Sequence, residues 1–247
     1  MSTIARRPPA PAVPTETTTP VPDEERGVLR GVSWQFYDRL SDAIGAPSPI
    51  RVAYDGKDME IMNLGPNHER SKSRLGFFIY EVAMGLGIEF EPFDSTTWKR
   101  FPEQVGLESD LCYYFDQAKF QALDQNVDSN DVRDYPDNPD LAVEVDISPS
   151  QIDRPKIYAA LRVFEIWRFQ DGALSIEQLG PDGAYHAATS SRFLPVRADE
   201  VTRWLADRKS SRLGDWRRRL QKWIQTELKA RVDGNETPRR PTRRRKP

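Results

Sequence analysis

The stretch PDLAVEVDIS, from Pro139 to Ser148, alternates acidic and apolar side chains. Asp140, Glu144 and Asp146 stand among leucine, alanine, valine and isoleucine, a pattern that predicts a β-strand with an acidic side. Glu144 and Asp146 are two residues apart, so their side chains point to the same side of the pleat. A carboxylate within an apolar strand is costly unless it is paired, hydrogen-bonded or metal-bound. This side of the strand is therefore predicted to be a poor core surface and a good cation site.

Helical and strand-like patterns surround this strand. Residues 33–44 predict an amphipathic helix capped by Ser33, and residues 67–86 predict a long helix that ends at Gly87. Further strands are predicted at 50–54, 58–62, 88–93, 96–101, 109–115, 164–169, 173–179 and 184–189. Further helices are predicted at 155–162 and from 198 to about 231, broken near Gly214, and a polar loop at 124–138. The strand–helix–strand unit around 140–169, beside antiparallel hairpins, indicates an α/β or α+β fold.

The two ends of the chain differ from its middle. Residues 1–25 are rich in proline and threonine and predict a disordered tail, and residues 233–247 predict a disordered basic tail. Between them we expect a domain at 26–200 and a helical extension at 201–232. The apolar face of that extension either packs on the domain or pairs with a second copy, and we expect a homodimer.

Charge is divided unevenly along the chain. Residues 201–247 hold 16 basic and 5 acidic residues and so carry +11, whereas the rest hold 20 basic and 33 acidic residues and carry −13. An anionic partner would meet the basic end first. The alternative is a solvated helix followed by a basic end that has no partner.

Several classes of protein are disfavoured by the sequence. The first residues lack the apolar core of a secretory signal, and no apolar run approaches the ~20 residues of a membrane span. Cys112 is the only cysteine, so no intramolecular disulfide can form, and a cytoplasmic location is predicted. His68 and His186 are far apart and make no zinc pattern. We find no glycine-rich phosphate loop and no nucleophile elbow.

Lys156 follows the acidic strand in the predicted short helix. Pro155 is favoured at the first helical position with Asp153 as the cap, which puts Lys156 in the first turn. A lysine there faces the positive end of the helix dipole, an unfavourable position unless an anionic cluster lies nearby. If the helix packs over the sheet, Lys156 could reach Glu144. The alternative is a tolerated surface lysine.

Five pieces of the chain, in order, resemble the Uma-two family of restriction-endonuclease-like proteins within the PD-(D/E)XK nuclease superfamily. They are DMEIM (58–62), Asn67-His68-Glu69, GLESDLCYYF (106–115), PDLAVEVDIS (139–148) and DRPKIYAALRVFEIWRF (153–169). The resemblance runs from about Trp34 to Val196. It implies a restriction-endonuclease-like α/β (α+β) fold, with a central mixed sheet flanked by helices and followed by the C-terminal helical extension.

The resemblance also implies a set of site residues. Asp110 corresponds to the aspartate of the "PD" motif, although Ser109 stands where the proline would be. Glu144 corresponds to the second acidic residue, but Asp146 occupies the position of the superfamily lysine, which makes Lys156 the candidate. The implied catalytic residues are thus Asp110, Glu144 and Lys156.

The implied metal ligands are Asp110, Glu144 and Glu69, since Glu69 resembles the extra acidic residue that some members use. Hard oxygen ligands suit Mg²⁺ or Mn²⁺, which would polarise the phosphoryl oxygen and lower the pKa of bound water. His68 is a further candidate, with a helix-start residue as its alternative. Asp146 is either a cap for the following turn or an outer ligand.

The implied function is that of a metal-dependent endonuclease, a hydrolase that cleaves phosphodiester bonds in nucleic acid, in DNA rather than RNA. The alternative is a non-catalytic nuclease-fold protein that acts as a nucleic-acid-binding or interaction module. The missing lysine at position 146 and the acidic body favour that alternative. Glu144 also has a structural alternative, a pairing with an arginine such as Arg154 or Arg168.

Overall fold

Two β-sheets share one stretch of chain, from Val105 to Tyr114, and Asp110 lies where the chain passes from one sheet to the other. The computed structural model describes residues 24–45, 48–126, 138–207 and 212–235. Its strands are β1 (Glu24–Leu29), β2 (Ile50–Tyr54), β3 (Met59–Leu64), β4 (Glu91–Phe93), β5 (Thr96–Arg100), β6 (Val105–Ser109), β7 (Leu111–Tyr114), β8 (Leu141–Asp146), β9 (Glu165–Gln170), β10 (Ala173–Leu179) and β11 (Tyr185–Ala188). Its helices are α1 (Trp34–Ile44), α2 (Pro66–Leu86), α3 (Gln117–Gln125), α4 (Arg154–Ala160), α5 (Ala198–Ala206), α6 (Leu213–Trp223) and α7 (Lys229–Asn235), with a π-helical turn (Ile224–Leu228) between the last two.

The first sheet has the order β1-β3-β2-β6-β5 and is antiparallel throughout. The second has the order β11-β10-β9-β8-β7-β4, and its β8 and β9 run parallel because α4 connects them as a crossover. The other neighbours in this sheet pair antiparallel. The fold is therefore the mixed α/β architecture expected from the sequence.

The largest core cluster lies between the second sheet and the long helix α2. Leu75, Phe78 and Ile79 of α2 are fully buried there against strand residues such as Val143 and Trp167. An apolar stripe at helical spacing on α2 thus covers the face of the sheet that carries β8. Consequently, α2 and β8 are held as one rigid support for the side chains near Asp110.

The C-terminal helices complete this cluster. Trp216 and Leu220 of α6 and Ile224 and Leu228 of the π-helical turn are buried in the same core. Close approach is possible because position 85 is glycine, where a Cβ would lie 2.9 Å from Cγ2 of Ile224. The apolar face that motivated a homodimer is thus covered by the chain's own helix α2, and nothing in the described part of the chain supports a dimer.

Most elements follow the sequence prediction. Ser33 caps α1 by accepting a hydrogen bond from the backbone N–H of Phe36 at 3.3 Å. Gly87 ends α2 in the left-handed conformation at φ 67°, which glycine adopts at little cost. The hairpins β2–β3 and β10–β11 are present, and so are β5, β9 and α4 within a residue or two of their predicted bounds.

Other expectations are corrected by the structure. The single strand predicted at 109–115 is interrupted at Asp110, because its carboxylate accepts the backbone N–H of Val145 while the chain changes sheets. Only Glu91–Phe93 of the strand predicted at 88–93 is paired. Helix α3, capped by Asp116, was not predicted. Helix α5 ends at Ala206 and helix α6 begins at Leu213, so Gly214, near which the break was predicted, is the second residue of α6.

Strand β1 was also missed, and it begins at Glu24, within the tail predicted at 1–25. The remainder of that tail, most of the loop predicted at 124–138 and residues 236–247 lie outside the described residues. The boundaries 26–200 and 201–232 stay predictions. None of the helices in the described ranges is long and apolar enough to span a bilayer.

Candidate active site

The predicted acidic residues Asp110 and Glu144 lie opposite each other on neighbouring strands. The antiparallel register pairs Leu111 with Val143, which sets Asp110 beside Glu144. The backbone N–H of Asp110 donates to the carbonyl of Val143 at 3.2 Å, and the N–H of Val145 donates to Asp110 Oδ2 at 2.7 Å. Both carboxylates are buried. The bend between β6 and β7 therefore brings together two residues that are 34 positions apart in the sequence.

His68 holds Asp110 from helix α2. Its Nε2 lies 3.1 Å from Asp110 Oδ2, and its Nδ1 lies 3.2 Å from Oε1 of the half-exposed Glu69. Both ring nitrogens face carboxylate oxygens, and only the doubly protonated ring can donate to both. Burial works against that charge, but the two carboxylates outweigh it and raise the pKa of His68.

The same contacts keep Asp110 ionised. Burial on its own would raise the pKa of Asp110, but the hydrogen bond and charge of His68 act against it. The N–H of Val145 and the charge of Arg154 act in the same direction, so the pKa of Asp110 lies below its usual value. Asp110 is thus a buried anion with its charge compensated by protein groups.

Glu144 is held by two residues of helix α4. Arg154 Nη2 lies 2.6 Å from Glu144 Oε2, and the Tyr158 hydroxyl donates to Oε1. Arg154 and Tyr158 are four residues apart, so they share one face of the helix. Burial, with the nearby charges of Asp110 and Asp146, raises the pKa of Glu144 to about 8 against the pull of Arg154. The carboxylates at 110 and 144 therefore occupy different electrostatic environments.

Asp146 continues the acidic side of β8 and is also paired with arginines. Arg26 Nη2 of β1 lies 2.5 Å from Asp146 Oδ1, and Arg154 Nη1 lies 3.4 Å from the same oxygen. Arg168 Nε approaches Oδ2 at 3.5 Å. Arg26 Nη1 also binds the buried Glu60 at 3.0 Å. The acidic side of the strand thus meets cations, as expected, but the cations seen here are arginines of the chain.

Lys156 lies on the other side of α4 from these contacts. It is exposed, and its backbone N–H donates to the cap Asp153 at 3.0 Å. Within the described part of the chain, no ion pair joins Lys156 to Asp110 or Glu144, and Arg154 is the α4 cation that contacts Glu144. The structure therefore gathers Asp110 and Glu144 but leaves Lys156 at the surface nearby.

A divalent cation would find suitable donor atoms but no assembled cage here. Asp110 and Glu144 supply the hard oxygens that Mg²⁺ uses, commonly one or two carboxylates completed by water and phosphate. Both oxygens of Glu144 are held by protein donors, and Glu69 points to His68. Among the described residues, no three His, Cys, Asp or Glu form a group that could hold a metal. The pair fits one hard ion if Arg154 releases Glu144.

Sequence reasoning missed the roles of three residues. Arg26 carried no signal, because the strand that holds it was not predicted. Tyr158 was not considered as a site residue, yet its hydroxyl contacts Glu144. Arg154 was considered only as a structural alternative, although its spacing of four from Tyr158 places both side chains over the acidic strand. That spacing was the available signal.

The chain thus has a mixed α/β fold with a buried acidic pair at the junction of its two sheets. The family model Uma2, described as "Putative restriction endonuclease", matches residues 34–206, and the chain belongs to this family. A crystal structure of "a putative nuclease belonging to DUF820" from Anabaena variabilis is similar at 13% identity, covering 70% of this chain and 99% of that chain with a TM-score of 0.46. No curated protein matches the chain.

Proposed function

We propose that this protein is a metal-dependent endonuclease that hydrolyses phosphodiester bonds in nucleic acid, in DNA rather than RNA. The observation that carries the proposal is the juxtaposition of Asp110 and Glu144 across β7 and β8. Membership of the Uma2 family supports the nuclease-like part of the proposal. Metal dependence rests on the carboxylate chemistry of the pair, because these oxygens suit Mg²⁺ or Mn²⁺.

In this proposal Asp110 and Glu144 hold the ion, and Glu69 at the start of α2 assists. A bound divalent ion supplies charge neutralisation at the phosphate and a water of lowered pKa. His68 orients Asp110 and keeps its carboxylate ionised through the 3.1 Å contact. The Tyr158 hydroxyl donates a hydrogen bond to Glu144 Oε1 and so fixes the rotamer of the Glu144 side chain.

The cation that serves the reaction is assigned to helix α4. Lys156 is the residue predicted to position water or phosphate, and it lies at the surface of the first turn. Arg154, two positions earlier, contacts both Glu144 and Asp146. Exchange of Arg154 from Glu144 to a substrate phosphate would free the carboxylate for the ion, and guanidinium groups bind phosphate through paired N–H donors.

Cleavage of single- and double-stranded DNA in titrations of Mg²⁺ and Mn²⁺ tests the proposal. Asp110→Asn is expected to lower the rate by about two orders of magnitude or more, the size typical for loss of a key electrostatic group. Asp140→Asn is the matched control. Asp140 is equally buried at the start of β8, where it binds the N–H groups of Phe115 and Asp116 and the ammonium of Lys119. That variant should lose stability but keep cleavage.

Circular dichroism should establish that each variant is folded before its rate is compared. The same cleavage assay in EDTA, without added metal, gives the metal-free rate. Metal-dependent cleavage that persists unchanged in folded Asp110→Asn and in folded Glu144→Gln would refute the site assignment.

The second candidate is a non-catalytic interaction module, and the pairing of Glu144 with Arg154 at 2.6 Å favours it. In that case the arginine is the permanent partner of the carboxylate. Isothermal titration with Mn²⁺ distinguishes the two candidates. Binding that is lost in Glu144→Gln supports the nuclease, whereas no binding at millimolar Mn²⁺ supports the module.

A further inference from the structure

Two cations converge on one hydroxyl group next to Asp110. Lys72 Nζ donates to Ser95 Oγ at 2.8 Å, and Arg51 Nη2 donates to the same oxygen at 3.1 Å. The Ser95 hydroxyl in turn donates to the backbone carbonyl of Asp110 at 3.3 Å. The lone pairs of the oxygen and its proton are therefore all in use. A small neutral group is the shared acceptor of two positive charges.

The charges of this cluster are incompletely balanced. Arg51 Nε has a carboxylate partner, Glu108 Oε1, at 3.0 Å. For Lys72, the nearest carboxylate oxygen among the described residues is Oε2 of the half-exposed Glu69, at 3.9 Å. The side chain of Lys72 is only 13% exposed. A largely buried cation whose nearest carboxylate oxygen lies beyond hydrogen-bonding distance is only partly compensated, and a bound anion would stabilise it.

The position of the cluster links it to the acidic pair. Lys72 is one helical turn beyond His68 on α2, so the two side chains lie on the same face of the helix. Ser95 stands in the turn between β4 and β5, and Arg51 projects from β2. Helix α2 and strand β2 thus bring two donors to the Ser95 hydroxyl, which lies one hydrogen bond from the Asp110 backbone.

We propose that Lys72, Arg51 and Ser95 form a binding subsite for a backbone phosphate of nucleic acid, next to Asp110. This deepens the proposed function and rests on it. A phosphate oxygen would replace Ser95 Oγ as the acceptor for Lys72 and Arg51, and its negative charge would balance the second cation. Lysine and arginine are the usual partners of backbone phosphates, and such contacts position the duplex without reading its sequence.

Arg51 is already held in place for this role. Its Nη1 donates to the backbone carbonyl of Ser48 and approaches that of Ile50 at 3.4 Å. A guanidinium fixed by backbone carbonyls loses little conformational freedom when the phosphate binds. Lys72 is the better residue to test, because its removal leaves the Arg51–Glu108 pair in place.

The experiment measures binding of a fluorescein-labelled DNA duplex by fluorescence anisotropy over a range of salt concentrations, in EDTA so that no cleavage is needed. Lys72→Met is expected to weaken binding about tenfold, the size of one charge-assisted hydrogen bond. It should also reduce the slope of log K against log salt by about 0.9, the value for one phosphate contact. Lys72→Arg should retain the slope.

Lys99→Met is the matched control. Lys99 is equally covered, at 11% exposed, but its ammonium has two close carboxylates, Asp38 at 2.7 Å and Asp42 at 2.6 Å. Its removal should leave the salt slope unchanged even if stability falls. Thermal unfolding of both variants shows that the comparison is between folded proteins.

The outcomes separate the subsite from the proposed nuclease activity. If Asp110→Asn abolishes cleavage while Lys72→Met keeps the wild-type slope, the nuclease stands and the subsite is overturned. If the wild-type protein shows no cleavage, and Lys72→Met still reduces the slope of log K against log salt by about 0.9, the subsite stands and the hydrolase is overturned. A wild-type protein that does not bind the duplex even at low salt overturns the subsite too.

Discussion

Replacement of Arg26 by methionine is expected to destabilise the protein by about 3–5 kcal/mol, the cost of removing one partner from a buried ion pair. The side chain of Arg26 is 3% exposed and contacts three carboxylates: Glu24 Oε1 at 2.5 Å, Glu60 Oε2 at 3.0 Å and Asp146 Oδ1 at 2.5 Å. Methionine fills similar volume but supplies no charge. Three buried carboxylates would then face one another with one cation fewer between them.

Urea unfolding followed by tryptophan fluorescence measures this loss. With a slope of about 2 kcal/mol/M, the midpoint should fall by roughly 2 M. Arg30→Met is the control, because Arg30 pairs with Asp58 at 2.6 Å but is 61% exposed. A surface pair of that kind contributes about 0–1 kcal/mol. Equal losses in the two variants would refute the reasoning that burial, rather than pairing, sets the cost.

The pH dependence adds an independent check. Burial acts to raise the pKa of Glu24, but the hydrogen bonds from Arg26 and Ser148 outweigh it and hold the pKa below 4.5. A lowered pKa contributes stability above pH 4.5 that is lost as the pH falls through the folded value. The difference in free energy of unfolding between the wild type and Arg26→Met should therefore become smaller below pH 4.5. A constant difference down to pH 3 would contradict this assignment.

The remaining predictions concern His68, Cys112 and the two cations of helix α4, Lys156 and Arg154. In EDTA, His68→Asn should lower the free energy of unfolding most between about pH 4 and 6.5. This loss should shrink as the pH rises through the raised pKa of His68, and also as it falls through the lowered pKa of Asp110. Urea titrations at several pH values measure the loss. Burial raises the pKa of the Cys112 thiol to about 12, so iodoacetamide should label it only after unfolding, and rapid labelling of native protein would contradict its placement. Lys156→Ala should change the free energy of unfolding by less than about 0.5 kcal/mol, whereas Arg154→Met should lower it by about 3–5 kcal/mol. A larger fall of the urea midpoint in Lys156→Ala than in Arg154→Met would contradict the assignment of Arg154 as the buried cation.

The order of strands and helices could be predicted to a large extent because most signals were local. Ser33 acts through a hydrogen bond to a residue three positions away and Gly87 through its own backbone conformation, so sequence alone locates them. The missed strand β1 has no local signal of comparable strength. It is held by pairing with β3 and by Arg26, which contacts Asp146 across 120 positions of sequence. Long-range pairing of this kind leaves no periodic trace.

The acidic half of the site was predictable for a different reason. A carboxylate such as Glu144 within an apolar strand requires a partner, and that requirement is visible in the sequence. The identity of the partner is decided by the geometry of α4. The helix places Arg154 and Tyr158 on the side that faces β8 and Lys156 on the side that faces solvent. The composition of the helix does not determine which side faces the sheet.

The distribution of free positive charge also differs from what the composition suggests. The excess of basic residues after position 201 predicted a first contact with an anionic partner there, but several arginines described in that region are ion-paired. Arg217 binds Glu81, Arg219 binds Asp207, and Arg231 binds Glu200. Such pairs have much of their field cancelled locally, and salt screens the remainder. Affinity for nucleic acid should then depend more on cations whose nearest carboxylate oxygen is distant, such as Lys72 at 3.9 Å, than on these paired arginines. Substitution of Lys72 is therefore expected to change binding more than substitution of Arg217 on α6, because Arg217 has a carboxylate oxygen at 2.6 Å whereas the nearest one to Lys72 is at 3.9 Å.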